Sequence, residues 1–236
     1  MQAALGAEPF SGRVLDAGCG EGIDLASVAL SGARRAVGVE ISSGGVDATS
    51  ARIAALSNAT LIRGNVLALP FASAVFDAAY SYGVVHHTVD PEGAVREIAR
   101  VLKPNAPLLL YVYEDFSTRS LGWRVTLGLV NAVRQRISAL SPRAIRRVCA
   151  MLAPFVYLTC TVPSRYFEFA KRFPYPAGQN PTMKSLIPDL YDRFAAPIEK
   201  RYSEAGARRL AEQAGCRVMA SAFLRGWAVW AVKRES

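Results

Sequence analysis

Two carboxylates, one carboxamide and two imidazoles each follow a short apolar run in the first half of this 236-residue chain. Asp16 closes Val14–Leu15 and leads into Gly18, Cys19, Gly20 and Gly22. Glu40, with Ile41 beside it, closes a second run from Ala36, about 24 residues after Asp16. Asn65 and Val66 come just after Thr60–Ile62, and Phe76–Tyr82, which contains Ser81, passes through Gly83 into a loop holding His86 and His87, the only histidines of the chain. Glycines at 18, 20 and 22 admit positive φ and remove β-carbons, so backbone can approach a ligand closely. The helix expected from Ile23 offers further unpaired amides at the same place. An acid at that strand end would oppose a pyrophosphate seated on the helix terminus, so a ligand carrying positive charge is the better match. Glu40, one βα unit on, suits the ribose hydroxyls of an adenosine-containing ligand. Imidazole could take a proton from a hydroxyl or an acidic carbon. Plainer readings stand beside each of these: a turn using glycine for geometry, a solvated strand-end acid, and loop histidines that pack.

These residues need an alternating βα frame to bring them to one edge. Apolar positions from Ile23 to Leu30 and from Val46 to Leu56 predict helices. Asp90-Pro91 opens another with a capping acid and a first-turn proline, and Lys103-Pro104 closes it before a fifth strand at Leu108–Tyr113. Ligands of open parallel sheets bind outside the carboxyl ends of the strands, which puts the histidine loop beside the glycine turn. Ser203–Gly215 reads as a helix. Arg217–Phe223 and Trp227–Val232, joined at Arg225-Gly226, must run antiparallel.

The run Asp16-Ala-Gly18-Cys-Gly20-Glu-Gly22 resembles the acid-GxGxG motif of the class I S-adenosylmethionine-dependent methyltransferases, in particular their small-molecule, methyltransferase type 11-like group. Arg63–Phe71, RGNVLALPF, is similar to that family's GDxxxLPF, with Asn65 in place of the usual Asp. GVVHHT, Asp90-Pro91 and RVLKP continue the likeness, with Asn105-Ala106 where Gly-Gly is usual, so that it covers about half of the chain. The resemblance implies an α/β, Rossmann-like, doubly wound sheet of seven strands, mostly parallel with an antiparallel last strand, and here a helical insertion between strands five and six. It implies S-adenosyl-L-methionine as cofactor, with Asp16, Gly18, Cys19, Gly20 and Gly22 at the methionine end. Glu40 and Ile41 would meet the ribose, Asn65 and Val66 the adenine, while Ser81 and Gly83 form a floor beneath the methyl group. His86 or His87 would face the acceptor, since a Glu-His pair stands there in related quinone O-methyltransferases. Transfer of a methyl group to oxygen or carbon of a small, lipophilic molecule is the activity implied. A methyltransferase-like binding module without turnover is one alternative. A nicotinamide-dependent oxidoreductase is another, although GCGEG lacks the third glycine of GxGxxG at its usual place.

The formal charge of +9 is uneven. Between Asp115 and Arg201 stand fourteen Lys and Arg against five Asp and Glu, which accounts for the whole excess. Residues 1–114 therefore read as a cofactor-binding part, 115–202 as a basic helical insertion, and 203–236 as the end of the sheet. An insertion of that length should fold, with helices over Leu121–Leu140 and Pro142–Val162 and shorter ones near Arg165–Arg172 and Lys184–Phe194. The uncharged stretch from Val148, interrupted by Pro154, falls short of a bilayer span. Its helices either pack as core or form an amphipathic lid that admits a greasy substrate or rests on an anionic membrane. Trp123, Phe155, Tyr157, Tyr166, Phe167, Phe173 and Tyr175 are candidates to line an acceptor pocket. Nucleic acid is disfavoured because the arginines lack RNA-binding motifs around them. Four scattered cysteines suggest a reducing compartment, and no metal-ligand spacing recurs. With no secretory pattern at the start, the expected location is the cytoplasm, with peripheral contact at the inner face of the membrane. About twelve residues precede Val14, where the resembling group carries helices, so either the insertion supplies that cover or the true start lies upstream.

Overall fold

The computed structural model describes residues 10–118, 120–172, 175, 177–178 and 182–235. In chain order the elements are β1 (Arg13–Ala17), α1 (Ile23–Leu30), β2 (Arg35–Glu40), α2 (Ser43–Ile53), β3 (Ala59–Arg63), β4 (Ala78–Tyr82), α3 (Pro91–Val101), β5 (Pro107–Val112), α4 (Leu121–Ser138), α5 (Pro142–Val156), α6 (Pro163–Tyr166), α7 (Met183–Ala195), α8 (Glu204–Gln213), β6 (Cys216–Phe223) and β7 (Trp227–Lys233). The chain divides into two compact units, 1–117 with 198–236, and 118–197.

The first unit holds one seven-stranded sheet in the order β3-β2-β1-β4-β5-β7-β6. β1, β2 and β4 are apolar on both faces and buried along nearly their whole length, as strands covered by helices on both sides must be. Successive residues point to opposite faces. Leu15 thus packs with Ala79, Ile98 and Leu108, while Val14 packs with Leu25, Val28 and Tyr80 on the other side. β7 lies antiparallel between β5 and β6, because the tight turn after β6 sends the chain back along it.

α2 begins three residues before the first apolar position that betrays it. Ser42 caps it by accepting the Gly45 amide at 3.1 Å, a local bond that outweighs the poor helix propensity of Gly44-Gly45. α3 starts as its sequence demands, with Asp90 accepting the Gly93 amide at 2.8 Å.

The second unit has its own core, in which Ile145, Cys149 and Ala153 of α5 meet Leu186, Leu190 and Phe194 of α7. Arg134 is buried and donates to the Ala196 carbonyl at 2.5 Å. Pro154 does not end α5. Beyond it the chain passes through a π-turn at Tyr157–Thr161 into α6, which keeps the helical path continuous. Residues 115–117 and 198–202, grouped by charge with the insertion, lie with the sheet. There the Tyr202 amide donates to the Tyr113 carbonyl at 2.9 Å and the Asp115 amide to the Tyr202 carbonyl at 3.0 Å.

Candidate functional site

At the carboxyl end of β1 the chain turns through Gly18, Gly20 and Gly22, whose φ values are +91°, +53° and +74°. Positive φ at all three positions explains the choice of glycine. Gly18 has a second reason, since a β-carbon there would collide with the Val84 methyl groups, whereas one at Gly20 would meet nothing within 4 Å. Four amides of the turn are already engaged. Gly18 and Cys19 donate to the Val39 carbonyl at 2.9 and 3.1 Å, and Gly22 to the Cys19 carbonyl at 2.8 Å. Gly20 donates to Glu40 Oε2 at 3.0 Å. With these four donors occupied and the Asp16 carboxyl beside them, the turn suits an ammonium better than a phosphate.

Asp16 is 3% exposed and receives the Tyr80 hydroxyl at 2.9 Å. Burial pushes its carboxyl well above the usual range; the Tyr80 bond pulls it down, and Asp24 and Glu40 push it further up. Asp24, at the start of α1, is itself raised by burial. Three acids thus gather around one turn, an arrangement that a bound cation would relieve. Cys19 is buried beside Thr49 Oγ1 at 3.9 Å, and burial pushes its thiol up to about 12, so it acts as an inert packing group. Thr49 of α2 in turn donates to the Gly20 carbonyl at 2.7 Å.

Glu40, at the end of β2, joins the turn to α2: besides Gly20 it accepts the Ser42 amide on Oε1 at 2.8 Å. Each of its oxygens keeps a second lone pair for a ribose hydroxyl. Gly45 packs so tightly against it that a β-carbon would come within 2.8 Å of Glu40 Cγ. Ile41 is 61% exposed. After β3, Asn65 Oδ1 accepts the Leu67 amide at 2.9 Å, forming a turn that leaves Asn65 exposed and Val66 buried.

After β4 the residues divide by role. Ser81 is fully buried and donates to the Ala17 carbonyl at 2.8 Å, tying β4 to β1. Gly83, with φ +78°, borders open space. His86 is fully buried, lies 4.1 Å from His87 and 4.2 Å from Tyr113 between ring centroids, and has no hydrogen-bond partner on either nitrogen. Burial, reinforced by His87 and Arg201, holds its pKa down at about 2, so it stays neutral and is a poor proton acceptor. His87 is only part-buried, and its Nδ1 lies 2.8 Å from the Ile198 carbonyl. A carbonyl only accepts, so Nδ1 carries hydrogen and Nε2 is the basic nitrogen. The segment 198–202 forms a strap: the Lys200 amide donates to the His86 carbonyl at 2.8 Å and its ammonium to the Val89 carbonyl at 3.0 Å.

The glycines, Asp16, Glu40, Asn65 and the histidine loop all stand at the carboxyl ends of parallel strands. Tyr80, Asp24, Thr49, Gly45 and the strap were not singled out from sequence. Tyr80 could have been, because placing β4 next to β1 puts it opposite Asp16. Of the aromatic candidates in the insertion, Phe155, Tyr166 and Phe167 are exposed and Tyr157 accepts from Arg165 at 2.9 Å. Tyr175 is part-buried, with its carbonyl bonded by the Thr161 hydroxyl. Phe173 and the side chain of Trp123 lie outside the described residues.

Residues 15–110 match the family described as methyltransferase domain. A 24-methylenesterol C-methyltransferase 2 of Oryza sativa subsp. japonica is 37% identical over 112 residues, 46% of this chain and 30% of that protein. A demethylmenaquinone methyltransferase of Mycolicibacterium paratuberculosis is 32% identical over 158 residues, 66% of this chain and 62% of that one. The chain thus spans less than two thirds of the length of these curated relatives. Among solved structures, an S-adenosylmethionine-dependent methyltransferase from Mesorhizobium loti superposes with a TM-score of 0.59 at 15% identity, over 98% of this chain and 95% of that one, a likeness of fold.

Proposed function

We propose that this chain is a class I S-adenosylmethionine-dependent methyltransferase that takes S-adenosyl-L-methionine as its cofactor and methylates a small, lipophilic molecule at oxygen or carbon, a reading supported by the matched methyltransferase domain and by the relatives. The observation that carries the reading is the buried Asp16, surrounded by Asp24 and Glu40 at a turn where the amides of Gly18, Cys19, Gly20 and Gly22 are engaged. Such a site favours a cation, and the cofactor fits it with its ammonium and sulfonium. When bound, S-adenosylmethionine supplies an electrophilic methyl group on sulfur.

The protein's part is to hold, align and exclude water. Asp16 accepts from the ammonium, Glu40 from the ribose hydroxyls, and Asn65 from the adenine amine through the second lone pair of Oδ1. Gly20 and Gly83 leave room at the mouth of the site. His87 receives a proton from the acceptor on Nε2 while its Nδ1 stays anchored to Ile198. His86 packs behind it as a neutral wall. The named activities of the sterol and demethylmenaquinone relatives support a greasy acceptor.

Calorimetry with S-adenosylhomocysteine tests the cofactor contacts. Wild type should bind, Asp16→Asn should weaken binding by about 50-fold and Glu40→Gln by about tenfold; equal affinities in all three would refute the assignment. The acceptor is then sought as the compound labelled by methyl-tritiated cofactor in cell extract. With that acceptor, His87→Ala should lower kcat by about 100-fold with cofactor affinity intact. Unchanged turnover would leave alignment alone as the mechanism.

A further inference from the structure

The geometry of residues 118–197 points to a docking surface for an anionic phospholipid bilayer, formed by the outward face of the continuous helix Pro142–Tyr166. That helix is long and apolar enough to cross a membrane by length and composition alone. Its inward face, Ile145, Cys149 and Ala153, is already packed on α7. The outward face carries Met151, Phe155 and Leu158, spaced four and three residues apart and 71%, 67% and 65% exposed. Side chains so spaced share one side of a helix. Large apolar groups left in a contiguous exposed patch mark an interaction site.

Charge selects the occupant. Arg143, Arg146 and Arg147 stand exposed at the start of the helix and Arg165 at its end. The residues between, Val148 to Ser164, include no charged side chain. Seventeen residues reach about 26 Å, the lower limit of a bilayer span. With one face held by α7 as well, the helix lies in the headgroup–acyl boundary and does not span it. A second exposed stripe, Leu121, Val125, Leu129 and Val133, runs along α4, which also exposes Arg124 and Arg136. The unit carries twelve Lys and Arg against three Asp and Glu. A second copy of the chain would bring like charge against like, whereas anionic headgroups complement the excess. The surface is independent of the methyl-transfer reading and is assayed without cofactor.

Flotation of the full chain with phosphatidylcholine vesicles, with and without about 30% phosphatidylglycerol, is the test. Wild type should float with the anionic vesicles, stay behind with neutral ones, detach as salt rises, and be stripped by alkaline carbonate. Phe155→Glu changes an exposed side chain, so far-UV dichroism and the unfolding midpoint should be kept while binding falls about tenfold. Arg143→Gln with Arg147→Gln should reduce binding about 30-fold and erase the preference for anionic lipid. The proposal is overturned if wild type fails to float, floats equally with neutral vesicles, or survives carbonate as an integral protein would. It also falls if either variant binds like wild type, or if light scattering finds a dimer that Phe155→Glu dissolves while no vesicle binds.

Discussion

Asp16 is a residue at which function works against stability. In the folded chain its carboxyl is raised by burial and by Asp24 and Glu40. A raised carboxyl costs the fold stability progressively as pH climbs above the unfolded value of 3.8. Asp16→Asn keeps an acceptor for Tyr80 and removes the charge. The ligand-free variant should therefore be more stable at neutral pH by about 1 to 2 kcal/mol in urea unfolding, even as cofactor binding weakens. Tyr80→Phe is the complementary change: it fills the same space, leaves Asp16 without its donor, and should weaken binding about fivefold by calorimetry. His86 has the opposite sign on pH. Its folded value of about 2 lies below the unfolded 6.5, so its contribution is intact above pH 6.5 and is lost as pH falls below it. His86 should contribute a loss of about 1.4 kcal/mol per pH unit below pH 6, opposed by the gain from Asp16, so His86→Phe, which keeps the aromatic packing, should be less destabilised by acid than wild type in urea unfolding.

Between elements, contact is closest where a glycine forbids anything larger. Gly18 lets the β1 turn nest against Val84 of the histidine loop, and Gly45 lets α2 close on Glu40. Gly18→Ala must push the loop aside and should impair both cofactor binding and the unfolding midpoint. Gly20→Ala meets no protein atom, so it should cost only about 1 kcal/mol of left-handed strain while obstructing the ligand. A comparison of the two variants by calorimetry and thermal melting separates a packing glycine from a ligand-facing one. The strap of 198–202 works at the same scale. Its bonds to His86, His87 and Val89 come from backbone and one lysine, and nothing in its composition advertises them.

For the whole molecule, the sheet unit is close to neutral and the helical unit holds the charge. On the proposed reading cofactor binds the folded sheet unit and not its unfolded chain, so S-adenosylhomocysteine at about 100 times its Kd should add about 2.7 kcal/mol. In hydrogen exchange the added protection should appear at the amides of 16–22 and 38–42.

Much of this architecture is legible in the order of residues, because parallel strands buried on both faces must be apolar and the turns between them need glycine or a capping acid. VLDAGCGEG, the strand ending in Glu40, Asp90-Pro91 and the final hairpin all follow local rules of backbone and burial. So does the concentration of arginine after Asp115. Tertiary structure decided the rest. Whether a histidine is a base depends on what surrounds it, and His86 and His87, adjacent in sequence, differ in burial and in partner. Tyr80 reaches Asp16 across 64 positions, and Glu40 serves the Gly20 and Ser42 amides before any ligand arrives. Pro154 lacks an N–H and disfavours a helix interior, yet the helix runs through it and carries its exposed Met151, Phe155 and Leu158 on one side. Local sequence sets which backbone shapes are allowed; desolvation and long-range hydrogen bonds, which exist only once distant strands meet, set what each side chain can do.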